Sequence, residues 1–514
     1  MLNLRIRPAL LLVVVAILRY NANLSAQTTP GERRASAALA AAAKNPLTLR
    51  VFVEHMPKGG ELHFHLGGAV YAETILKDAA EDNLCLNLAT HSLAHNTGLA
   101  PAQPPQPVCA PGMVPAATVF QDQKLYDAMV DAWAMRSFVP SAGISGHDHF
   151  FSSFSRAGTS IVHQGEWVDE VATRAAAQNE QYLEIMTATS SAHALDASSS
   201  VPWNPNLPAM RDALLTHGLE QDVAIGKSEL DAMDATRDRL EHCNTPQALP
   251  ACSLLVRYLY VVSRGYAPQR VFAQTILAFE LASRDPRVVG INFAMPEDAY
   301  TAMAEYHRQM LMLDYLHSIY PRVHISLHAG ELAFGMVPPD GLKFHIREAV
   351  ELGHAERIGH GVDVMYEDNP QALLQEMAKK HIMVEINLTS NDVILGVTGK
   401  QHPLPLYLAA HVPVALSSDD EGVSRIDLSH EYAHAIQDFG WNYEDLKRSA
   451  RTSIEHSFLP GADLWASEDD FSKMSPPCAA PNAKACLTLL QGSEKAQQEW
   501  ELEKRFNAFE GQPE

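Results

Sequence analysis

His63 and His65 stand two positions apart in the segment Glu61-Leu-His-Phe-His-Leu66. In an extended strand, residues i and i+2 face the same side. Two imidazoles on one face can grip a single metal ion, at ~2.0–2.1 Å if it is zinc. An H-x-H pair is common by itself, and packing or surface histidines account for most instances. A second pair, in His147-Asp148-His149, has no strand pattern around it and reads as structural or loop. The first pair gains weight because metal-capable residues follow apolar runs at three other places: Ser326-Leu-His-Ala-Gly-Glu331, Arg357-Ile-Gly-His-Gly-Val-Asp363 and Ala415-Leu-Ser-Ser-Asp-Asp420. A barrel of parallel strands brings its C-terminal strand ends to one face. Several charged groups gathered there without partners would be costly.

Eight apolar, β-rich runs supply the strands that such an arrangement needs. They are Glu61–Leu66, Tyr182–Thr189, Leu254–Val262, Val288–Phe293, Val323–His328, Arg357–His360, Ile382–Leu388 and Val412–Ser417. Amphipathic stretches such as Ala299–Leu316, Leu342–Leu352 and Pro370–Lys379 lie between them. Strands alternating with helices imply parallel pairing by right-handed crossovers. Eight of them fit an α/β fold closed as a (β/α)8 TIM barrel. An open doubly wound sheet is the second choice, and no G-x-G-x-x-G follows a strand to recommend it. The barrel unit is placed at 57–460. An Ala-rich helical stretch over 33–55 marks an N-terminal extension at 27–56. Residues 79–120, with Pro101, Pro104, Pro105, Pro107, Pro111 and Pro115, read as a loop-like insertion after the first strand. Helices are expected at Asp427–Phe439, Tyr443–Ser453 and Glu494–Phe509, with an irregular surface segment from Gly461 to Gly492 inside a C-terminal extension at 461–514.

With 39 Lys plus Arg against 61 Asp plus Glu, the net charge is −22, which argues against nucleic acid as a partner. Hydrophobic residues make up 46%, the share of a globular chain. Arg5 and Arg7 precede an apolar run, Pro8–Leu18, that is too short for a membrane span of ~20 residues. With Leu24-Ser25-Ala26 behind it, this reads as an export signal at 1–26, cut after Ala26. No other stretch is long and apolar enough to span a bilayer, so no membrane partner is expected after removal, and the destination is periplasmic or extracellular. Six cysteines fall as near neighbours, Cys85 with Cys109, Cys243 with Cys252 and Cys478 with Cys486. In an exported chain that pattern suggests disulfides, and proximity selects these pairs among the possible connectivities.

The segments Met56-Pro-Lys-Gly-Gly-Glu-Leu-His-Phe-His-Leu-Gly-Gly68, Ser326–Glu331, Arg357–Asp363, Asn387-Leu-Thr-Ser-Asn391 and Ser417-Ser-Asp-Asp420 together resemble the adenosine deaminase family of metal-dependent hydrolases. Glu431-Tyr432 and Ser457-Phe458-Leu459 add later matches, so the resemblance covers most of 57–460. The export signal and the Met56-Pro-Lys-Gly59 opening look most like the secreted, growth-factor-related branch.

The resemblance implies one zinc ion per chain, held by His63, His65, His328 and Asp419. It implies that His360 orients a water and helps deprotonate it, that Glu331 gives a proton to purine N1, and that Asp420 meets N7. Adenosine and 2′-deoxyadenosine would then yield inosine products and ammonia. Two positions depart from the family pattern. Gly67 stands where many members place an Asp on the sugar, and Met295 stands at about the point where many members end the fourth strand with a glycine whose backbone reaches the purine. Both bear on substrate binding, and they keep another aminopurine open as substrate. The acidic balance disfavours AMP. The insertion is expected at the active-site mouth. A homodimer, and an extracellular binding or signalling role with secondary catalysis, also stay open. The cytidine-type zinc signature fails, because His354-Ala355-Glu356 has no P-C-x-x-C partner: Pro481 stands where the second cysteine is needed.

Overall fold

A computed structural model describes residues 29–100, 106–158, 163–480 and 482–511; the expected signal and its cut lie outside them. Eight parallel strands follow one another round a single sheet. They are β1 (Gly59–His65), β2 (Glu180–Thr187), β3 (Leu255–Ser263), β4 (Val288–Ala294), β5 (His324–Ala329), β6 (Arg357–His360), β7 (Met383–Ile386) and β8 (Val414–Leu416). The two edges of the sheet meet where Phe64 pairs with Asp419. The Asp419 N–H donates to the His63 carbonyl at 3.0 Å, and the His65 N–H to the Asp419 carbonyl at 3.2 Å. The fold is therefore the (β/α)8 barrel, and its seam closes on three of the residues singled out for metal binding.

Strands β2, β6, β7 and β8 are buried along their whole length. Sheets covered on both faces select nearly continuous apolar runs, which is why these strands stand out in the sequence. The polar exceptions carry the interest. Glu184, Asn292, Ser326, Arg357 and Glu385 are all fully buried. The Arg357 guanidinium donates to Glu184 at 2.7 Å and lies 2.8 Å from Glu385. Burying charge is expensive unless it is paired, and here each carboxylate faces the same cation.

Four peripheral expectations need correction. The stretch 33–55 is two helices, Pro30–Ala42 and Pro46–His55. Proline disfavours helix in the residue before it, so Asn45 becomes the second N-cap and accepts the Leu47 N–H at 2.8 Å. The insertion is more than a loop: Cys85–Asn87 pairs with Ser92–Ala94 and with Met113–Pro115 in a small antiparallel sheet. Residues 461–492 are not irregular throughout, because Trp465–Ser467 and Asp470–Met474 pair and Lys484–Gly492 is helical. The His147-Asp148-His149 segment lies in the helix Gly146–Ala157, not in a loop.

All six cysteines are paired as expected: Cys85–Cys109, Cys243–Cys252 and Cys478–Cys486. A closure spanning 24 positions, as in the first, is worth on the order of 3 kcal/mol through the unfolded state. Among the described residues, no helix is long and apolar enough to cross a membrane.

Candidate active site

His63 and His65 end β1, His328 lies near the end of β5, and Asp419 follows β8. The strand ends bring one donor atom from each of the four within 4.8 Å of the others. His65 Nε2 lies 3.1 Å from His328 Nε2, and Asp419 Oδ1 lies 3.5 Å from His63 Nε2 and 3.4 Å from His65 Nε2. All but His65 are buried.

The hydrogen bonds behind these residues decide which atoms face inward. His63 Nδ1 donates to Glu385 at 2.6 Å, and His328 Nδ1 donates to the Asn292 side-chain oxygen at 2.6 Å. With their Nδ1 protons so placed, both rings turn an Nε2 lone pair to the centre. Ser390 donates to Asp419 Oδ2 at 2.7 Å, which leaves Oδ1 free. His63 Nε2 and Asp419 Oδ1 are buried without a hydrogen-bond partner. Converging lone pairs repel unless a cation lies between them. Burial opposes charge on His63, yet the Asp419 and Glu385 carboxylates beside it push its imidazole up to about 10, so the site draws positive charge. Three imidazoles and one carboxylate suit zinc, and the same set accepts iron or cobalt. The residues therefore fit a divalent transition metal.

Glu331 and His360 meet beside this centre, with Glu331 Oε1 at 3.7 Å from His360 Nε2. The state of His360 follows from a backbone donor three hydrogen bonds away. The Leu404 N–H donates to His402 Nδ1 at 3.1 Å, so the His402 proton is on Nε2, which donates to the Asn391 oxygen at 3.0 Å. The Asn391 amide then donates to His360 Nδ1 at 3.0 Å. The His360 proton must sit on Nε2, facing the centre. Burial, then the neighbouring His63, pull the His360 imidazole down to about 3, so the ring is neutral. A neutral ring with hydrogen on Nε2 orients an oxygen well but has no lone pair there to deprotonate it. Of the two tasks implied for His360, the hydrogen-bond chain supports the first and opposes the second.

Burial and the adjacent Asp419 push the Glu331 and Asp420 carboxyls well above the usual range. Burial acts on Asp419 in the same direction, but the facing His63 and the surrounding imidazoles outweigh it and hold this carboxyl low. Three neighbouring carboxyl groups are thus pushed apart, one toward the anion and two toward the neutral acid, the pattern that separates acid and base roles in a shared site.

A cavity of about 670 Å³ opens over these groups. His65, His328, Glu331, Asp419 and Asp420 lie at one side, and Gly67 and Met295 also line it. Its apolar wall comes from Phe150, Phe151 and Phe154 of the helix Gly146–Ala157, opposite Met186 and Tyr266. No residue of the insertion lines the cavity among the described residues; instead the insertion packs behind that helix. Its strand Ser92–Ala94 contacts the helix that carries the phenylalanines. His147 and His149 point elsewhere, to Asp298 and to the Asp131 and Ala134 carbonyls.

Gly67 has open space where a side chain would be, whereas a Cβ on Gly68 would collide with the Asp420 carboxylate. Met295, His360 and Asp419 have φ of 97°, 69° and 63°. Non-glycine residues rarely hold such values, which cost of order 1–3 kcal/mol each and gather at functional sites.

Sequence reading gave no role to the groups that aim these side chains, Asn292, Glu297, Glu385, Ser390 and Asn391, although the last two lie in the Asn387–Asn391 segment that carries the resemblance. Glu297 accepts the Gly330 and Glu331 N–H groups at 3.0 and 2.8 Å and the His345 Nδ1 proton at 2.5 Å, and so fixes the turn that presents Glu331. A signal was available for Asn292 and Glu385, since each is a polar residue inside an apolar strand run. Glu385→Gln is expected to weaken metal binding by ~10–100-fold, as loss of a hydrogen bond to a ligating histidine does. Competition with a chromophoric zinc chelator would read this, and an unchanged affinity would show that Glu385 does not orient His63.

Fold and donor set together define a parallel barrel with a metal-capable centre at its C-terminal strand ends, a class in which the residues at those ends set the reaction. Within that class the chain belongs to the adenosine deaminase family, whose model, described as adenosine deaminase, matches residues 146–466. An adenosine deaminase of Shewanella loihica is 35% identical over 143 residues, which are 28% of this chain and 40% of that protein. One of Escherichia coli is 37% identical over 144 residues, again 28% of this chain and 40% of the relative. The matched stretch therefore spans less than half the length of these curated relatives. In fold, the chain is similar to an adenine deaminase of Arthrobacter aurescens, with a TM-score of 0.51, 17% identity, and coverage of 87% of this chain and 99% of that one.

Proposed function

We propose that the chain is an exported, zinc-dependent adenosine deaminase that converts adenosine and 2′-deoxyadenosine, with water, to inosine or 2′-deoxyinosine and ammonia. The observation that carries this reading is the pair of buried carboxyl groups, Glu331 and Asp420, facing one cavity beside the His63–His65–His328–Asp419 donors. A purine ring presents N1 and N7 as acceptors, and two acids kept neutral by burial can each donate to one. A zinc ion held by the four donors would supply a water that ionises near neutral pH. Glu331 holds the proton for N1, and its transfer makes C6 open to attack. Asp420 donates to N7 and fixes the ring. His360 holds the incoming oxygen through Nε2–H. The helix Gly146–Ala157 shields the ring's faces from water with its phenylalanines. Export draws support from the three disulfides, which persist in oxidising compartments.

The open space at Gly67 favours a second reading, another aminopurine such as adenine or a modified adenosine, because no side chain there reaches toward a sugar. An ultraviolet deamination assay on the signal-free protein with zinc, across adenosine, 2′-deoxyadenosine, adenine and AMP, tests both. Fast, chelator-sensitive turnover of adenosine is expected. AMP is expected to turn over at least tenfold more slowly, since no Arg or Lys lines the cavity among the described residues. Turnover of adenine alone would select the second reading. Silence on every purine with zinc bound would overturn both.

A further inference from the structure

Gly67 has open space where a side chain would be, so the cavity must recognise a sugar from another wall or not at all. On the reading of the cavity as a purine site, C6 faces the four donors, N1 faces Glu331 after β5 and N7 faces Asp420 after β8. A sugar on N9 then leaves from the edge of the ring opposite C6. It does not point toward the arc of β6 and β7, because that arc contributes only Ile394 to the lining among the described residues. It points across the other arc, over the ends of β2, β3 and β4. Three side-chain hydroxyls line the cavity, those of Ser155, Thr187 and Tyr266. Ser155 donates to the Ser152 carbonyl at 2.9 Å, and Thr187 accepts from Gln164 Nε2 at 3.2 Å. Tyr266, in the turn after β3, is 36% exposed, and its hydroxyl has no hydrogen bond among the described residues.

The ring of Tyr266 is fixed from behind. The Arg270 guanidinium lies 3.4 Å from the ring centroid. Arg270 makes no ion pair among the described residues, and its Nε is buried without a hydrogen-bond partner. In a chain of net charge −22 this arginine turns its charge to an aromatic face and not to a carboxylate. Arg270 stands in the first turn of the helix Pro268–Arg284, so only a short turn separates it from the strand that presents Tyr266. Gly265 completes the ledge. A Cβ there would lie 2.9 Å from Met295 Cε and 3.1 Å from its Sδ, so the glycine lets the methionine pack against the backbone next to Tyr266. We propose that Tyr266, held in place by Arg270, binds the sugar of a nucleoside substrate through its hydroxyl and so stands in for the acid that Gly67 does not supply. A tyrosine suits this task, because its flat ring covers apolar surface while its O–H both gives and accepts a hydrogen bond.

Steady-state kinetics of the zinc-loaded protein and its Tyr266→Phe variant, on adenosine and its 2′-, 3′- and 5′-deoxy analogues, test this. The variant is expected to raise KM for adenosine ~3–10-fold, the worth of one neutral hydrogen bond, and to leave kcat within about twofold. The analogue that lacks the bonded hydroxyl is expected to have the same KM with both proteins, while the other two follow adenosine. Arg270→Met, which frees the ring but keeps its hydroxyl, is expected to raise KM for adenosine in the same direction, and an unchanged KM would remove Arg270 from the proposal. Equal KM for adenosine in the parent protein and Tyr266→Phe would overturn the sugar site. So would a loss shared equally by adenosine and all three analogues, the mark of a packing role. Turnover of adenine alone by the parent protein would overturn the nucleoside reading and the sugar site together. Where the parent protein turns over no purine, calorimetric titration with inosine and hypoxanthine decides. Tighter binding of inosine that is lost in Tyr266→Phe would keep the sugar site although the catalytic reading has failed, and equal affinity for the two ligands, or binding of neither, would overturn it.

Discussion

Glu331→Gln is expected to retain its metal and to lose turnover by ~10²–10⁴-fold, the range for removal of a positioned general acid. Glutamine fills the same volume and can still donate a hydrogen bond, so binding of a purine should change little. It has no proton to transfer, so the loss falls on kcat. The fold should not suffer. Glu331 is buried, and burial and the adjacent Asp419 hold its carboxyl well above the usual range, so glutamine adds no new desolvation cost, and the backbone N–H remains on Glu297. Metal content by atomic absorption, together with kcat and KM on adenosine, separates the possibilities. Full metal, unchanged KM and a collapsed kcat make Glu331 the proton donor. Activity within threefold of the parent protein would end that assignment and move the proton to Asp420. Loss of zinc would make Glu331 part of the metal centre.

Much of this was legible because a parallel barrel writes itself plainly. Its strands are buried on both sides and read as apolar runs, and its chemistry sits where those runs end. His63, His65, His328 and Asp419 all lie at strand ends, where the pattern drew attention to metal-capable residues, and the resemblance to the adenosine deaminase family joined these four into one set. β6 was read with its observed bounds, Arg357–His360. What the sequence did not disclose is tertiary. Glu385 is 322 positions from His63, to which it bonds, and Leu404 sets the His360 proton through two intervening side chains. The cavity wall was hidden for a related reason. The helix Gly146–Ala157 begins with Ser145 and Asp148 in a reciprocal cap, a local signal overshadowed by the H-x-H it encloses.

Asp419→Asn is expected to cost more than ~100-fold in zinc affinity and to remove nearly all turnover, since it alters a ligand itself and not merely a group behind one. Asparagine isolates the charge. It tolerates the left-handed backbone that residue 419 adopts, and it leaves intact the backbone bonds to His63 and His65 that close the barrel. Alanine would add backbone strain and confuse the result. Without the anion, the cluster becomes three imidazoles with one carboxylate, Glu385, behind His63. Such a set still binds zinc, but without the negative charge that offsets the cost of desolvating the ion. Affinity by chelator competition and residual rate under saturating zinc should be measured on the same protein. Loss of affinity with little recovery at saturation means that Asp419 both holds the ion and keeps Glu331 and Asp420 neutral. Full recovery would confine it to metal binding. Unaltered affinity would remove Asp419 from the donor set and leave the three histidines as the site.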